Sequence, residues 1–343
     1  MLFIDACKRG VIVVFLAFAV SAAARAPNGT LQLLRLPNNG IPAIVIPGGS
    51  FEALLGKQAR IQLVNGEPGA AGLELSAEWT DVPGGTVKAR CTVPENTPPG
   101  TYTLEARVGD EMDRNVRSVF VRASFPEYYL VAHLTDTHIG SPGNAAKNFA
   151  AALKAAEDSS AAFILITGDL TDGGEPEQFQ QFIAILDSSA LPTFVCPGNH
   201  DRKALHYEHF FGPGAYLFQF GQDGYLSFDT KDFIPADILG EQDTQLEIFR
   251  RQIKGCRWSV GFTHRYESVM GMRSQIVLFA DDPLDHLIFG HWHRANTEEE
   301  RTVPWGGTRV TVTPATFDGN LRLFDVSAQG IKPREPENVG AAN

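Results

Sequence analysis

Five short clusters occur in order along the 343 residues: Asp136-Thr137-His138, Gly168-Asp169, Gly198-Asn199-His200-Asp201, Thr263-His264 and Gly290-His291-Trp292-His293. Together they offer carboxylate, imidazole and amide groups and no thiolate, a mixture suited to borderline or hard divalent ions such as Mn, Fe or Zn. Each follows an apolar run, and α/β sheets place their chemistry at the carboxyl ends of strands. Two cation sites can be filled if they share Asp169. One takes Asp136, His138, Asp169 and His293; the other takes Asp169, Asn199, His264 and His291. The two imidazoles of His291-x-His293 diverge in a loop and so serve one ion each. His200 is then free to stabilise the transition state or protonate a leaving oxygen, with Asp201 behind it to set its tautomer. Two ions about 3.5–4 Å apart acidify a bridging water and neutralise phosphoryl charge. The chemistry expected is in-line attack of a metal-bridging hydroxide on phosphorus.

Weaker explanations exist for single clusters. Asp-x-His arises often by chance, and a polar turn accounts for the composition of Gly198-Asn199-His200-Asp201. Neither accounts for five clusters, each closing an apolar run. His133 lies within the run 130–134 and is expected to be a hydrogen-bonded core residue. His206, His209 and His286 have no strand-end placement and are expected at the surface or as caps. Asp172 or Glu175 suits a helix N-cap better than Asp169 does. Stretches 202–225 and 265–285 are expected to wall the pocket, which makes Arg202, Tyr207 and Tyr266 candidate phosphate or base contacts by location.

The elements that must position these groups differ in kind along the chain. Residues 27–125 show short β-type segments separated by Gly, Pro and Asn turns, over 30–36, 43–46, 59–64, 73–79, 86–92, 101–107 and 117–121. Such spacing predicts an antiparallel sandwich. The stretch Thr97-Pro98-Pro99-Gly100-Thr101-Tyr102-Thr103-Leu104 resembles the closing strand region of bacterial immunoglobulin-like domains. From Phe125-Pro126 onward strands alternate with helices. Strands are expected over 129–134, 163–167, 193–197, 258–263, 287–289, 309–313 and 321–326, and helices over 144–158, 176–188 and 242–254. This is an α/β domain of mixed sheets, with the clusters gathered at one edge.

The ordered set D-x-H, G-D, G-N-H-D, T-H and G-H-x-H resembles the calcineurin-like metallophosphoesterase superfamily over roughly residues 128 to 326. That resemblance implies a four-layer αββα sandwich with a binuclear centre at the residues already named. Leu165-Ile166-Thr167-Gly168-Asp169-Leu170-Thr171-Asp172 through Cys196-Pro197-Gly198-Asn199-His200-Asp201 is similar to the cyclic-nucleotide phosphodiesterase branch. Purple acid phosphatases place a metal-binding Tyr three residues after the G-D aspartate and lack the histidine of the first motif. Here those positions are Asp172 and His138. Thr263 and Arg265 flank His264 where the family often has His-His-Pro.

Composition bounds the partners. The chain is 43% apolar and 20% charged with net charge −11, which disfavours extensive disorder and binding to nucleic-acid polymers or anionic membranes. Lys8 and Arg9 precede an apolar stretch from Val11 to Val20, followed by Ala22-x-Ala24 and Ala24-x-Ala26. This reads as a secretory signal peptide over 1–26, too short to span a membrane, and as secretion or periplasmic location. Its removal takes Cys7 and leaves Cys91, Cys196 and Cys256. Cys196 is expected in the core, with no bridge between Cys91 and Cys256. The leading expectation is an exported phosphodiesterase acting on a small-molecule, lipid-derived or cell-wall phosphate ester. A phosphomonoesterase or nucleotide pyrophosphatase on the same centre, and a non-catalytic secreted binding protein with structural metals, are the alternatives.

Overall fold

The computed structural model describes residues 29–65, 71–82, 85–229, 241–266, 275–303 and 306–340. The expected signal segment, with Cys7, lies outside them.

The N-terminal part is built of strands: β1 (Leu34–Leu36), β2 (Ala43–Val45), β3 (Ser50–Leu55), β4 (Arg60–Val64), β5 (Leu73–Glu74), β6 (Ser76–Val82), β7 (Thr86–Thr92), β8 (Gly100–Val108) and β9 (Glu111–Val121). They form a four-stranded sheet, order β1-β3-β7-β6, and a five-stranded sheet, order β2-β9-β8-β4-β5. Alternate residues from both, including Phe51, Ala53, Leu63, Cys91, Tyr102, Leu104 and Val119, share one core. The pairing is not wholly antiparallel as expected. The chain changes sheets between β1 and β2, so β2 runs parallel to β9. Strand β3 is an addition to the expected set; its inward alternation of Phe51, Ala53 and Leu55 is a period-two signal.

The second part holds β10 (Tyr129–Leu134), α1 (Ala145–Asp158), β11 (Phe163–Thr167), α2 (Pro176–Leu186), β12 (Thr193–Cys196), α3 (His206–Phe211), β13 (Tyr216–Phe220), β14 (Asp223–Ser227), α4 (Glu241–Ile253), β15 (Ser259–Phe262), β16 (His286–Phe289), β17 (Arg309–Val312), β18 (Asn320–Ser327) and β19 (Gly330–Pro333). Sheet I has the order β12-β11-β10-β18-β19 and sheet II the order β13-β14-β15-β16-β17. In sheet I, β10, β11 and β12 are mutually parallel. In sheet II, β14 to β17 are parallel.

Both sheets are buried on both faces, which is why their strands read as continuous apolar runs. Val131, Phe163, Leu165, Phe194 and Phe324 of sheet I meet Phe218, Phe220, Tyr225, Val260 and Phe262 of sheet II. The alternate residues Ala132, Leu134, Ile164, Ile166 and Val195 pack outward against Phe149 and Leu153 of α1 and Phe179 and Phe182 of α2. Leu246, Phe249 and Ile253 of α4 cover the outer face of sheet II with Leu278 and Phe279. The layers are therefore helix, sheet, sheet, helix with mixed sheets, the four-layer arrangement that the resemblance implies.

Glu175 occupies the N-cap position of α2, its amide donating to Gln178 Oε1 at 3.3 Å. His133 is buried between the sheets, with Nδ1 against Thr313 Oγ1 at 2.6 Å and Nε2 against Thr167 Oγ1 at 2.7 Å. His286 is corrected by the structure. It lies within β16, 2% exposed, with Nε2 2.8 Å from Thr311 Oγ1. The period-two pattern of a strand buried on both faces gave no polar side on which to place it. The three described cysteines are free, with Cys91 and Cys196 buried.

Phe163 is the hub between the sheets, touching the rings of Tyr129, Phe194, Phe218, Phe220 and Tyr225 at 5.1–6.0 Å. Phe163→Ala is expected to lower the unfolding free energy by about 3–5 kcal/mol, read by chemical denaturation of metal-free protein. A loss below about 1 kcal/mol would contradict this account of the core.

Candidate metal centre

Parallel strands bring their carboxyl ends to one edge, and here two sheets do so together. Asp136 and His138 follow β10, Asp169 follows β11, Asn199 and His200 follow β12, His264 follows β15, and His291 and His293 follow β16. Each turn hangs on its neighbour. Asp136 N donates to Gly168 O at 3.0 Å, His138 N to Asp169 O at 2.9 Å and Gly290 N to His264 O at 3.1 Å. The approach is so close that a Cβ on Gly198 would strike the Asp169 amide and carboxylate, and one on Gly290 would strike Thr135 Oγ1 and Asp136. These positions tolerate only glycine.

The donors fall into two main groups within ligand reach of one another: Asp136, His138 and His293; and Asp169, His264 and His291. In the first, His293 Nε2 is 3.2 Å from Asp136 Oδ1, and His138 Nε2 is 3.9 Å from the same oxygen. In the second, His264 Nε2 lies 3.2 Å from Asp169 Oδ2, 3.1 Å from Asn199 Oδ1 and 3.1 Å from His291 Nδ1. Asp169 Oδ2 also stands 3.7 Å from His138 Nε2, so one oxygen faces both groups. His291 and His293 diverge to different groups.

Two divalent cations fit this donor set. Among the described residues, the buried Asp136 Oδ1 and His138 Nε2 meet only other donors of the site, a costly state unless a cation engages them. The other atoms of the same side chains are tied down. Asp136 Oδ2 accepts from Thr135 Oγ1 at 2.7 Å and His291 N at 2.9 Å; Asp169 Oδ1 accepts from His200 N at 2.9 Å. His264 Nδ1 is held by the Thr167 carbonyl at 2.9 Å, which leaves Nε2 as the inward lone pair. Among the described residues, only imidazoles form ion pairs with Asp136 and Asp169.

The backbone carries matching strain. Asp136, His138, Asp169, His291 and His293 have φ of 52°, 43°, 47°, 62° and 55°, five of the nine positive-φ non-glycine residues described. Each costs about 1–3 kcal/mol, and such residues persist where function over-determines them. Phe317 braces the first group, its ring edge-on to His138 at 5.4 Å and to His293 at 5.3 Å. Its amide donates to the Asp136 carbonyl at 3.0 Å.

Around the two groups, several expectations change. Asp201 does not set the His200 tautomer. It is fully buried and accepts from Gly198 N, Leu170 N, Thr171 N and Thr171 Oγ1 at 2.8–3.0 Å, joining the β11 and β12 turns. Burial, then repulsion from Asp169, pushes its carboxyl up to about 6. His200 Nδ1 instead meets the Asp172 backbone carbonyl at 2.6 Å. Tyr207 is no substrate contact: it is buried, with its hydroxyl on the Val195 carbonyl at 3.1 Å. Tyr266 packs against Phe279 and Phe289 in the core beside sheet II. Arg202 pairs with Asp229 after β14, Nη1 to Oδ2 at 2.8 Å.

Asp172 also stands in the site, where it was not expected. Its carboxylate lies 3.5 Å from His138 Nδ1 and accepts from Ser141 Oγ at 2.6 Å, while its carbonyl holds His200. Its spacing three after Asp169 was a signal, though it reads equally as a helix cap. Phe317 carried none, because only the fold brings residue 317 beside residue 138.

A paired cation site of carboxylate, imidazole and amide donors, at the carboxyl edge of two stacked sheets, is that of a metal-dependent phosphoric ester hydrolase. Residues 129–295 match the family model described as calcineurin-like phosphoesterase. A probable cyclic nucleotide phosphodiesterase of Fibrobacter succinogenes is 23% identical over 223 residues, 58% of this chain and 85% of the relative. A probable glycerophosphodiester phosphodiesterase of Arcobacter nitrofigilis is 30% identical over 120 residues, 32% of this chain and 42% of the relative. Among solved structures, a purple acid phosphatase from yellow lupin seeds shares the fold. The TM-score is 0.52 at 12% identity, covering 80% of this chain and 67% of that one.

In the metal-free protein, burial works against charge on His264, but Asp169 and Asp136 outweigh it and raise its pKa to about 9. A cation must displace that proton. Apparent Mn affinity is therefore expected to rise about tenfold per pH unit from pH 7 until it levels near pH 9. Titration calorimetry of metal-free protein reads this, with proton release in buffers of different ionisation heat; a flat profile would remove His264 from the ligand set.

Proposed function

We propose that the chain hydrolyses a phosphodiester at a pair of divalent ions, Mn, Fe or Zn, held by Asp136, His138, Asp169 and His293 on one side and Asp169, Asn199, His264 and His291 on the other. The observation carrying this reading is Asp169 Oδ2, 3.7 Å from His138 Nε2 and 3.2 Å from His264 Nε2: a single oxygen placed to serve both sites. When bound, such ions polarise the phosphoryl oxygens and lower the pKa of water. The chain supplies the rest. Asp172 accepts the Nδ1 proton of His200, leaving Nε2 on the open side, 4.0 Å from Asp169 Oδ2, with the side chain 41% exposed. A protonated Nε2 there can give its proton to the departing alkoxide. The strained turns fix the donors before substrate arrives.

The names of the two relatives support a diester, and the half-exposed mouth at His200 suits a small-molecule, lipid-derived or cell-wall ester rather than a nucleic-acid polymer. We read the paired N-terminal sheets as an immunoglobulin-like domain over 27–125, followed by a catalytic domain over 126–343. Export is inferred from residues 1–26.

Mn-reconstituted protein is expected to hydrolyse bis(4-nitrophenyl) phosphate faster than 4-nitrophenyl phosphate, and His200→Ala to lower kcat by about 10²- to 10⁴-fold with both ions retained. Hydrolysis of the monoester alone would sink the diester reading; full activity in His200→Ala would remove its role as acid. Export predicts a secreted or periplasmic chain starting at Arg25 or Pro27 by intact mass, against an unprocessed Met1.

A further inference from the structure

We infer that the N-terminal β region is a fixed brace for the edge strand that carries Asn199 and His200, so that both parts of the chain form one catalytic body. Strand β12 is the outermost strand of sheet I, and an open edge exposes unpaired backbone groups. The segment between β1 and β2 takes that edge: the Val195 amide donates to the Gly40 carbonyl at 2.9 Å. A Cβ on Gly40 would collide with the Phe211 ring and come within 2.9 Å of Val195 Cγ2.

Neighbouring contacts hold the same elements. Asn38 Nδ2 donates to the Phe211 carbonyl at 2.9 Å, and the Leu31 amide to the His209 carbonyl at 2.8 Å, both at the end of α3. Asn39 Nδ2 reaches Asp187 Oδ1 at 2.5 Å. A second anchor comes from β9, whose register against β8 slips between Tyr102 and Leu104. Arg117 stands in that irregularity at φ 49° and sends Nη2 to the Leu191 carbonyl at 3.3 Å, just before β12. Leu36, Ile41, Ile44, Leu54 and Phe120 share one core with Phe163, Phe194 and Cys196. A loosely tethered module has no need of a strained arginine, a paired sheet edge and a common core.

The consequence reaches the site through a short path. The Val195 carbonyl also accepts from the Tyr207 and Tyr216 hydroxyls, at 3.1 and 2.7 Å, so both peptide groups at this residue are fixed. Asn199 and His200 follow within five residues. Displacing a positioned group by about 1 Å can cost about 10²-fold in rate. Residues Gly40 and Arg117 are thus positioning residues, acting on His200 from the other domain; this catalytic consequence rests on the function proposed above.

The test uses the full chain with Gly40→Val and, separately, Arg117→Ser. Amide exchange is followed at Val195 with Leu287 of β16 as reference, alongside kcat and KM of Mn-loaded protein on bis(4-nitrophenyl) phosphate. The expected result is exchange at Val195 about tenfold faster, Leu287 unchanged, and kcat lowered about tenfold or more with KM within about twofold. Three outcomes would overturn the inference: unchanged Val195 exchange in both variants, faster exchange with kcat intact, or equal loss of protection at Leu287. Should the wild-type chain hydrolyse no diester, the exchange measurement still decides whether the brace exists, so the two readings fail separately.

Discussion

Two carboxylates, Asp136 and Asp169, are buried within reach of one another at the edge of two sheets, and among the described residues only imidazoles form ion pairs with them. Burying such charge without compensation is costly. In the metal-free chain, His264 answers it in part: Asp169 is held at about 2 because the imidazole facing it outweighs the cost of burial. Among the described residues, a buried imidazole nitrogen of His138 and a buried carboxylate oxygen of Asp136 meet only other donors of the site. The arrangement is built for cations, and it requires that every loop meeting at this edge be held firmly.

The rest of the molecule supplies that firmness. Strained residues relax unless their surroundings prevent it, and here each strained turn is bonded to the next, Asp136 to Gly168, His138 to Asp169, Gly290 to His264. Beneath the turns lies a close-packed aromatic layer, with Phe194 and Phe218 stacked at 3.6 Å across the two sheets. Interiors of this kind resist deformation, so the loops inherit a stiff base. Asp201 serves the same end by joining two ligand turns through four hydrogen bonds rather than by handling a proton.

The strand-rich N-terminal part adds to that firmness. Sheet I needs its β12 edge closed, and the residues closing it come from the other half of the chain. Placing Asn199 and His200 after an edge strand leaves them dependent on whatever covers that edge.

The sequence alone determined the reaction class, the α/β alternation and most strands of the second part. Residues next to a strand end must share its edge, and the strands themselves are marked by continuous apolar runs. Thus Asp136, Asp169, Asn199, His264 and His291 could be named together before any fold was known. Relations set by contact across the chain could not. Nothing local says that Asp201 turns to backbone amides instead of His200, that Asp172 offers its carbonyl to one imidazole and its carboxylate to another, or that His286 is buried. Phe317 beside His138 and Gly40 beside Val195 were likewise decided by tertiary structure. The physical reason is that periodicity reports which face of an element is apolar, whereas hydrogen-bond partners depend on which distant atoms arrive there.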